Sequence, residues 1–360
     1  MKTKQGRRRS IALALLIAAV FLFALFYFLY GKESGGSSPN LLVYVIDVGQ
    51  GDSFLIADGD YLMLIDGGNR GDEEKILGLL KSLGKDEIDC IVVTHPHADH
   101  IGGLKGVIDA VKVKSIYMPD VISASRTFDG LLDAISRKNL KIDIPKPQDT
   151  IVMTNASATF LGPVKEYSYM NNNSLVLKIT CGKTSFLFTG DMESAAENDL
   201  LVWRTDLSAD FLKVAHHGSK TSTSQKFLAE VTPRLAVISC GKDNIYRHPD
   251  ADTVSRLERV GAVVYRTDEF SGMIFESDGE NIKLVSGTSG SDGEKAPERT
   301  KAPDDQKPDA QNIKYIGNKR TKVFHKEGCS FLPSNQNSIN FSSRKEAQDS
   351  GYRPCGACSP

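Results

Sequence analysis

THPHADHIGG, residues 94–103, decides how the rest of the chain is read. Four side chains able to bind metal, His95, His97, Asp99 and His100, fall within six positions. Imidazole nitrogen together with carboxylate oxygen suits zinc, manganese or iron. On a loop, side chains two apart can converge on one ion, and Asp99 and His100 can turn to a second. Gly102 and Gly103 follow, and glycine permits close backbone approach. The chain has seven histidines; the others are His216, His217, His248 and His325, and all seven lie in motifs suited to holding metal.

Outward from that loop the same pattern recurs: a short apolar run ends in a polar loop carrying Asp or His. Residues 41–46 and 53–56 read as strands broken by the Gly-rich turn DVGQGD, and residues 61–65 as a strand ending at Asp66-Gly67-Gly68. Residues 73–83 have helical spacing, with Ile76, Leu77, Leu79, Leu80 and Leu83 on the apolar side. Residues 91–94 form a short buried strand that runs into the histidine loop. Residues 174–180 and 185–189 read as a hairpin around Gly182 that leads into Gly190-Asp191. Residues 211–215 lead into HHGS, and residues 235–239 toward the loop containing His248. A layered α/β enzyme builds a site at one sheet edge in this way.

Of 360 residues, 40% are hydrophobic, which is ordinary for a packed protein and long enough for more than one domain. The net charge of −1 hides an uneven distribution. Residues 2–9 carry five cations and no anion, and residues 11–286 carry 27 Lys and Arg against 36 Asp and Glu. From residue 312 onward eight cations face three anions. The acidic middle is compatible with bound cations, and the basic end with a polyanion. Cys90, Cys181 and Cys240 lie in or beside apolar runs and read as buried thiols.

Residues 11–30 run without a charge, and twenty apolar residues at helical rise span about 30 Å, the thickness of a bilayer's hydrocarbon core. The run is longer than a usual signal peptide and ends in aromatics. The expected organisation is a cytoplasmic basic tail at 1–10, a single transmembrane anchor at 11–30 and a stalk at 31–40. A hydrolase domain at 41–286 follows outside the cell, then a disordered linker at 287–311 and a small module at 312–360. Secretion after signal cleavage is the alternative.

HxHxDH followed by GG resembles the first metal motif of the metallo-β-lactamase superfamily, whose fold is a four-layer αββα sandwich. DVGQGDSFLI, LIDGG, NNNSLVLKI, FLFTGD, LKVAHHGSKTS and the NIYRHP loop occur in order. Together they resemble the lactamase-like domain of the DNA-internalisation competence protein ComEC. The multi-spanning channel of that protein has no counterpart here, so DNA uptake is not implied.

The resemblance implies that His95 and His97 bind a first metal, that Asp99 and His100 bind a second, that Asp191 bridges them and that His248 completes the second site. His216 and His217 would stand at the mouth, where one binds metal or donates a proton. The superfamily's usual third-motif histidine is absent, and Asn173 or Ser174 occupies that stretch. One or two divalent metals, zinc or manganese, are therefore expected. The expected chemistry is hydrolysis by a metal-bound hydroxide, with Asp99 also orienting it. Asp47, Asp52 and Asp66 lie beside the site by the same analogy, or are simply turn residues.

His325, Cys329, Cys355 and Cys358 have the ligand count of a closed tetrahedral zinc site. Ser343 and Glu346 read as a capping box, and Gly351 as the end of that helix. The segment resembles the zinc-binding domain of the Ada DNA-repair protein. The four ligands of that domain are cysteines, one of which accepts a methyl group. His325 in first place argues for structural zinc instead. The module is equally read as a nucleic-acid contact or as a tether.

Three functions compete at this level. One is a nuclease or phosphodiesterase acting on DNA or another nucleic acid. The second is a small-molecule esterase, lactonase or lactamase, and the third a non-catalytic surface-binding protein. The membrane is a partner through the N-terminal helix, and no protein partner is evident.

Overall fold

A computed structural model describes residues 40–203, 205–289, 315–319, 321–326, 329, 332–333 and 338–355. The expected anchor, the stalk up to residue 39, the linker from residue 290 and Cys358 lie outside these residues. Among the described residues no helix is long and apolar enough to cross a membrane.

The strands of the main domain begin with β1 (Leu41–Val45), β2 (Phe54–Asp58), β3 (Tyr61–Ile65), β4 (Glu87–Val92), β5 (Lys112–Tyr117) and β6 (Ile142–Asp143). They continue with β7 (Thr150–Val152), β8 (Ala156–Gly162), β9 (Val176–Cys181), β10 (Thr184–Phe188), β11 (Phe211–Lys213), β12 (Leu235–Ile238) and β13 (Val263–Arg266). Last come β14 (Phe270–Ser277) and β15 (Ile282–Ser289), so the domain runs slightly past the expected boundary at residue 286. One sheet has the order β15-β14-β1-β2-β3-β4-β5-β6, the other β13-β12-β11-β10-β9-β8-β7.

Side-chain parity explains the four layers. Leu41, Val43 and Val45 on β1, and Phe54 and Ile56 on β2, point into the core between the sheets. The alternate residues Tyr44, Leu55, Leu62 and Leu64 point outward and are covered by helices. Both parities are apolar, as strands buried on two faces require. The first sheet is covered by α1 (Glu73–Ser82), α2 (Ala98–Ile101), α3 (Leu104–Ala110) and α4 (Arg126–Arg137). The second is covered by α5 (Ser194–Trp203), α6 (Gln225–Val231) and α7 (Ala251–Arg259). Between the sheets Phe186, Phe188, Phe211 and Phe275 pack ring on ring, with centroids 5.1–6.0 Å apart. Burying each contributes about 1.5–3 kcal/mol. The expected αββα sandwich is therefore formed.

This topology gathers the polar loops at one edge. β3 pairs parallel with β4, and β10, β11 and β12 pair parallel in turn. Their C-terminal ends face the same way and deliver Asp66, His95, Asp191, His217 and Ser239 to one place. Backbone bonds fasten the loops together: Gly67 N donates to His100 O (2.6 Å), Gly102 N to Gly68 O (2.8 Å) and Asp52 N to Asp99 O (3.1 Å). A Cβ on Gly102 would collide with the backbone of Asn69 and Arg70, which is why the histidine loop ends in glycine. Glu197, buried on α5, accepts from the backbone N–H groups of Thr223 and Ser224 and so ties down the segment after HHGS.

The C-terminal module adds β16 (Tyr315–Asn318), β17 (Val323–Lys326), β18 (Ser338–Phe341), α8 (Arg344–Asp349) and β19 (Arg353–Pro354). Its sheet has the order β18-β16-β17-β19 around a core of Phe324, Phe341, Ala347 and Tyr352. Ser343 Oγ accepts from Glu346 N (3.1 Å), as the capping box predicts. The reciprocal bond is displaced by one residue, because the Glu346 carboxylate takes the N–H of Ser342 (2.7 Å). Gly351, at φ +80°, follows the helix.

Candidate metal centre

The histidine loop brings His95 Nε2 within 2.9 Å of His97 Nδ1, both aimed at the same space. Asp191, delivered by the end of β10, presents Oδ2 to that space, 3.8 Å from His95 Nε2. The same oxygen lies 3.3 Å from His100 Nε2 and 3.3 Å from His217 Nε2. His217 Nε2 is 3.4 Å from Asp99 Oδ2. Four groups of ligand atoms converge here: Asp52–Asp66–His100 and Asp52–Asp191–His217, which share Asp52, and the pair that faces the histidine loop, His95–His100–Asp191 and Asp99–His100–His217. His97 borders the first group of that pair, and Asp191 Oδ2 is close to both.

The partners of the other ring nitrogens fix each ring. His217 Nδ1 faces the Ser239 carbonyl (2.9 Å), an acceptor only, so Nδ1 carries the proton and Nε2 is the ligand atom. His100 Nδ1 faces Asp66 Oδ2 (2.8 Å). Thr94 Oγ1 donates to Asp66 Oδ2 (2.6 Å), which leaves its lone pair for His95 Nδ1 at 3.2 Å. Asp66 also accepts from Thr94 N (2.8 Å) and is fully buried. Asp66→Asn keeps the shape but loses the charge that holds His100. Metal affinity is expected to fall about 10–100-fold, which titration against a competing chelator measures. Unchanged affinity would leave Asp66 a turn residue only.

The electrostatics favour positive charge at the centre. Asp52, Asp66 and Asp191 are buried, Asp99 is half-buried, and Lys213 is the one fully buried Lys or Arg among the described residues. Lys213 Nζ pairs with Asp52, donates to Gly190 O (2.9 Å) and lies 3.6 Å from Asp191 Oδ1. Four carboxylates face one ammonium, and without metal the rings of His100 and His217 carry the further positive charge that offsets them. Burial pushes His100 and His217 toward the neutral form, but Asp191 and the other carboxylates outweigh it and hold both rings well above the usual histidine range. Burial would raise Asp191 too, yet His217 and His100 hold it well below the carboxylate range. Positive charge is thus favoured where the Nε2 atoms point. His100 Nε2, His217 Nε2, Asp191 Oδ1 and Asp52 Oδ1 are buried without a hydrogen-bond partner. Each such atom costs about 1–3 kcal/mol when nothing binds it. A buried set of orphaned imidazole nitrogens and carboxylate oxygens fits borderline divalent metals.

Several of the expected residues take other places than the resemblance implies. His217, not His248, converges with Asp99 and His100. The cause is backbone: His216 (φ +50°) and His217 (φ +54°) are both left-handed, with Gly218 (φ +83°) next. That conformation costs on the order of 1–3 kcal/mol per non-glycine residue and turns His217 inward. His248 instead packs its ring 5.5 Å from that of His216. Burial, then the charges of His216 and His217, push it down to about 4. His216 has Nδ1 3.1 Å from Glu193 Oε1 and Nε2 3.9 Å from Asp191 Oδ2.

Asn173 and Ser174 do not face the centre. Asn173 Nδ2 donates to Tyr167 O, and Ser174 Oγ accepts from Asp191 N and donates to Asn171 O. Asn171 is the residue of that stretch nearest the site, its Nδ2 3.5 Å from His216 Nε2. Asp47 is a turn residue whose Oδ1 accepts from Gly49 N (3.0 Å), whereas Asp52 and Asp66 enter the centre. Lys213 was missed, although its parity on β11 with inward Phe211 marks a cation that must be paired.

In the small module His325 Nδ1 lies 3.4 Å from Cys329 Sγ, and these atoms and Cys355 Sγ converge. Cys358, the expected fourth ligand, lies outside the described residues.

A sequence model of the Metallo-beta-lactamase superfamily matches residues 46–242, and one of the Metal binding domain of Ada matches residues 298–360. ComE operon protein 3 of Bacillus subtilis is 30% identical over 246 residues, covering 63% of this chain and 32% of that protein. Recombination protein 2 of Haemophilus influenzae is 32% identical over 238 residues, covering 64% of this chain and 28% of that protein. Competence protein ComA of Neisseria gonorrhoeae is 29% identical over 231 residues, covering 63% and 31% respectively. The chain spans about a third of the length of these relatives. Among solved structures, the metallo-beta-lactamase fold protein YhfI from Bacillus subtilis aligns with TM-score 0.48 at 16% identity, over 66% of this chain and all of that one.

Proposed function

Because the chain belongs to the metallo-β-lactamase superfamily, and its centre shares one carboxylate between two donor groups, we propose that it is a phosphodiesterase acting on DNA or another nucleic acid outside the cell. The observation that carries this reading is Asp191 Oδ2, within 3.8 Å of His95 Nε2 and 3.3 Å of His100 and His217 Nε2. Paired donor groups of this kind suit displacement at phosphorus, where attacking and leaving oxygens both need stabilising. Divalent zinc or manganese held by His95, His97, Asp99, His100, Asp191 and His217 would supply Lewis acidity and a lowered water pKa.

The chain's own residues complete the chemistry. Asp99, at the open side with its side chain 29% exposed, orients the attacking water. His216, 22% exposed and with Nδ1 3.1 Å from Glu193 Oε1, is placed to give a proton to the leaving oxygen. The likeness to proteins named for competence and recombination supports a nucleic-acid substrate. So does the excess of cations after residue 312.

Full-length protein stripped of metal and reloaded with Mn²⁺ or Zn²⁺ should cut labelled single- or double-stranded DNA, and His97→Ala should not. Absence of cutting with bound metal would move the search to small esters and lactones. The charge-free run at residues 11–30, preceded by five cations, supports a membrane anchor with the catalytic domain outside. Protease added to intact cells should then degrade the domain; its survival would place it inside.

The module is read as a structural zinc site of His325, Cys329, Cys355 and Cys358. Its core is too small to fold well without metal. Cys355→Ser is expected to remove one zinc per chain by elemental analysis and to expose the module to protease, while small phosphodiesters are still cleaved. Zinc content unchanged by the substitution would refute the ligand assignment.

A further inference from the structure

The loop from Gly241 to His248 follows β12 and borders the centre. Asn244 holds it shut: Nδ2 donates to Gly241 O (2.9 Å) and His248 O (2.5 Å), and Oδ1 accepts from His248 N (3.0 Å). Gly241 N donates to Gln50 Oε1 (3.2 Å), which pins the loop to the DVGQGD turn. Two non-glycine residues, Asp243 (φ +53°) and Arg247 (φ +58°), are left-handed. This braced loop nevertheless displays Ile245 (88% exposed) and Tyr246 (62% exposed) to solvent, with Arg247 exposed beside them.

Tyr246 is not isolated. One face of its ring stacks on His248, with centroids 5.8 Å apart and planes 25° apart. His248 in turn meets His216 edge to face at 5.5 Å. Three rings thus lead from solvent to the residue placed to protonate the leaving group, and the outer face of Tyr246 is open. A flat apolar ring would extend the stack, and Arg247 next to it suits a phosphate.

We infer that Tyr246 is a base-stacking residue. It receives an unpaired nucleobase next to the scissile phosphodiester, with Arg247 on the flanking phosphate. This rests on the phosphodiesterase reading and adds to it the part of the substrate that is recognised. A base paired in a duplex has both faces covered by its neighbours, so the platform selects single-stranded substrate or frayed ends. Stacking a base on an aromatic ring is sequence-tolerant, so little sequence preference is expected.

The test compares full-length wild type, Tyr246→Ala and Tyr246→Phe on a single-stranded oligonucleotide and on an abasic strand of equal length. Tyr246→Ala should raise KM for the ordinary strand about tenfold with kcat retained, Tyr246→Phe should restore it, and both variants should match wild type on the abasic strand. A 2-aminopurine in the strand should be quenched on binding to wild type and Tyr246→Phe, and much less on binding to Tyr246→Ala. An unchanged KM with unchanged quenching overturns the base platform while leaving the phosphodiesterase reading intact. Wild type that cuts neither strand with any metal overturns both.

Discussion

Asp191→Asn is expected to lower turnover on any substrate of the centre about a thousandfold or more, equivalent to about 4 kcal/mol of lost transition-state stabilisation. The substitution changes almost nothing sterically. Asn has the same shape, can still sit at the end of β10 and leaves the bond from Asp191 N to Ser174 Oγ in place. What it removes is the charge of the one oxygen that His95, His100 and His217 all approach. Bound divalent metal should fall by at least one equivalent per chain, measured by elemental analysis after gel filtration. Far-ultraviolet circular dichroism should be unchanged. Full activity with full metal content would show that the two donor groups do not share this carboxylate, and the paired-site chemistry would have to be abandoned.

The sandwich was legible because strands and loops carry separate signals. The runs at β1, β2, β3 and β12 are apolar at both parities, and loops carrying Asp, His or Gly follow the strands. Of the centre, the residues close in sequence are the legible part. His95, His97, Asp99 and His100 share one loop, so their convergence needs no knowledge of the fold. Which of His217 and His248 turns toward Asp99 is not legible, because spacing says nothing about ring direction. Two successive left-handed residues before Gly218 turn His217 inward, and backbone conformation of that kind is a tertiary outcome. Asp52 and Asp66 stayed ambiguous for a related reason. An aspartate beside glycine suits a turn, and only parallel pairing of β3 with β4 carries Asp66 to His100. Asn171, Asn172 and Asn173 look alike in sequence, yet Asn172 Oδ1 accepts from Glu193 N before α5, Asn173 braces its own loop, and Asn171 faces His216.

Lys213→Met is expected to destabilise the metal-free protein by about 3–5 kcal/mol, the cost of removing one partner from a buried ion pair. For a domain of this size that corresponds to a fall in Tm of roughly 6–20 °C. The side chains are similar in length, and position 213 shares the inward parity of Phe211, so methionine fits sterically. The loss is electrostatic. Asp52 keeps its charge without its ammonium, Asp191 loses the cation 3.6 Å from Oδ1, and Gly190 O loses its donor. The centre loses one positive charge, so it must attract divalent cations more strongly. The metal-loaded variant should therefore be destabilised much less than the metal-free one, and metal should raise its Tm further than it raises that of wild type. Adding Asp52→Asn should recover a large part of the metal-free loss, because the stranded charge disappears with it. Thermal melts with and without chelator, on the single and double variants, give all of these quantities. An equal loss with and without metal would mean that Lys213 supports the fold through packing alone and is not the counter-charge of the centre.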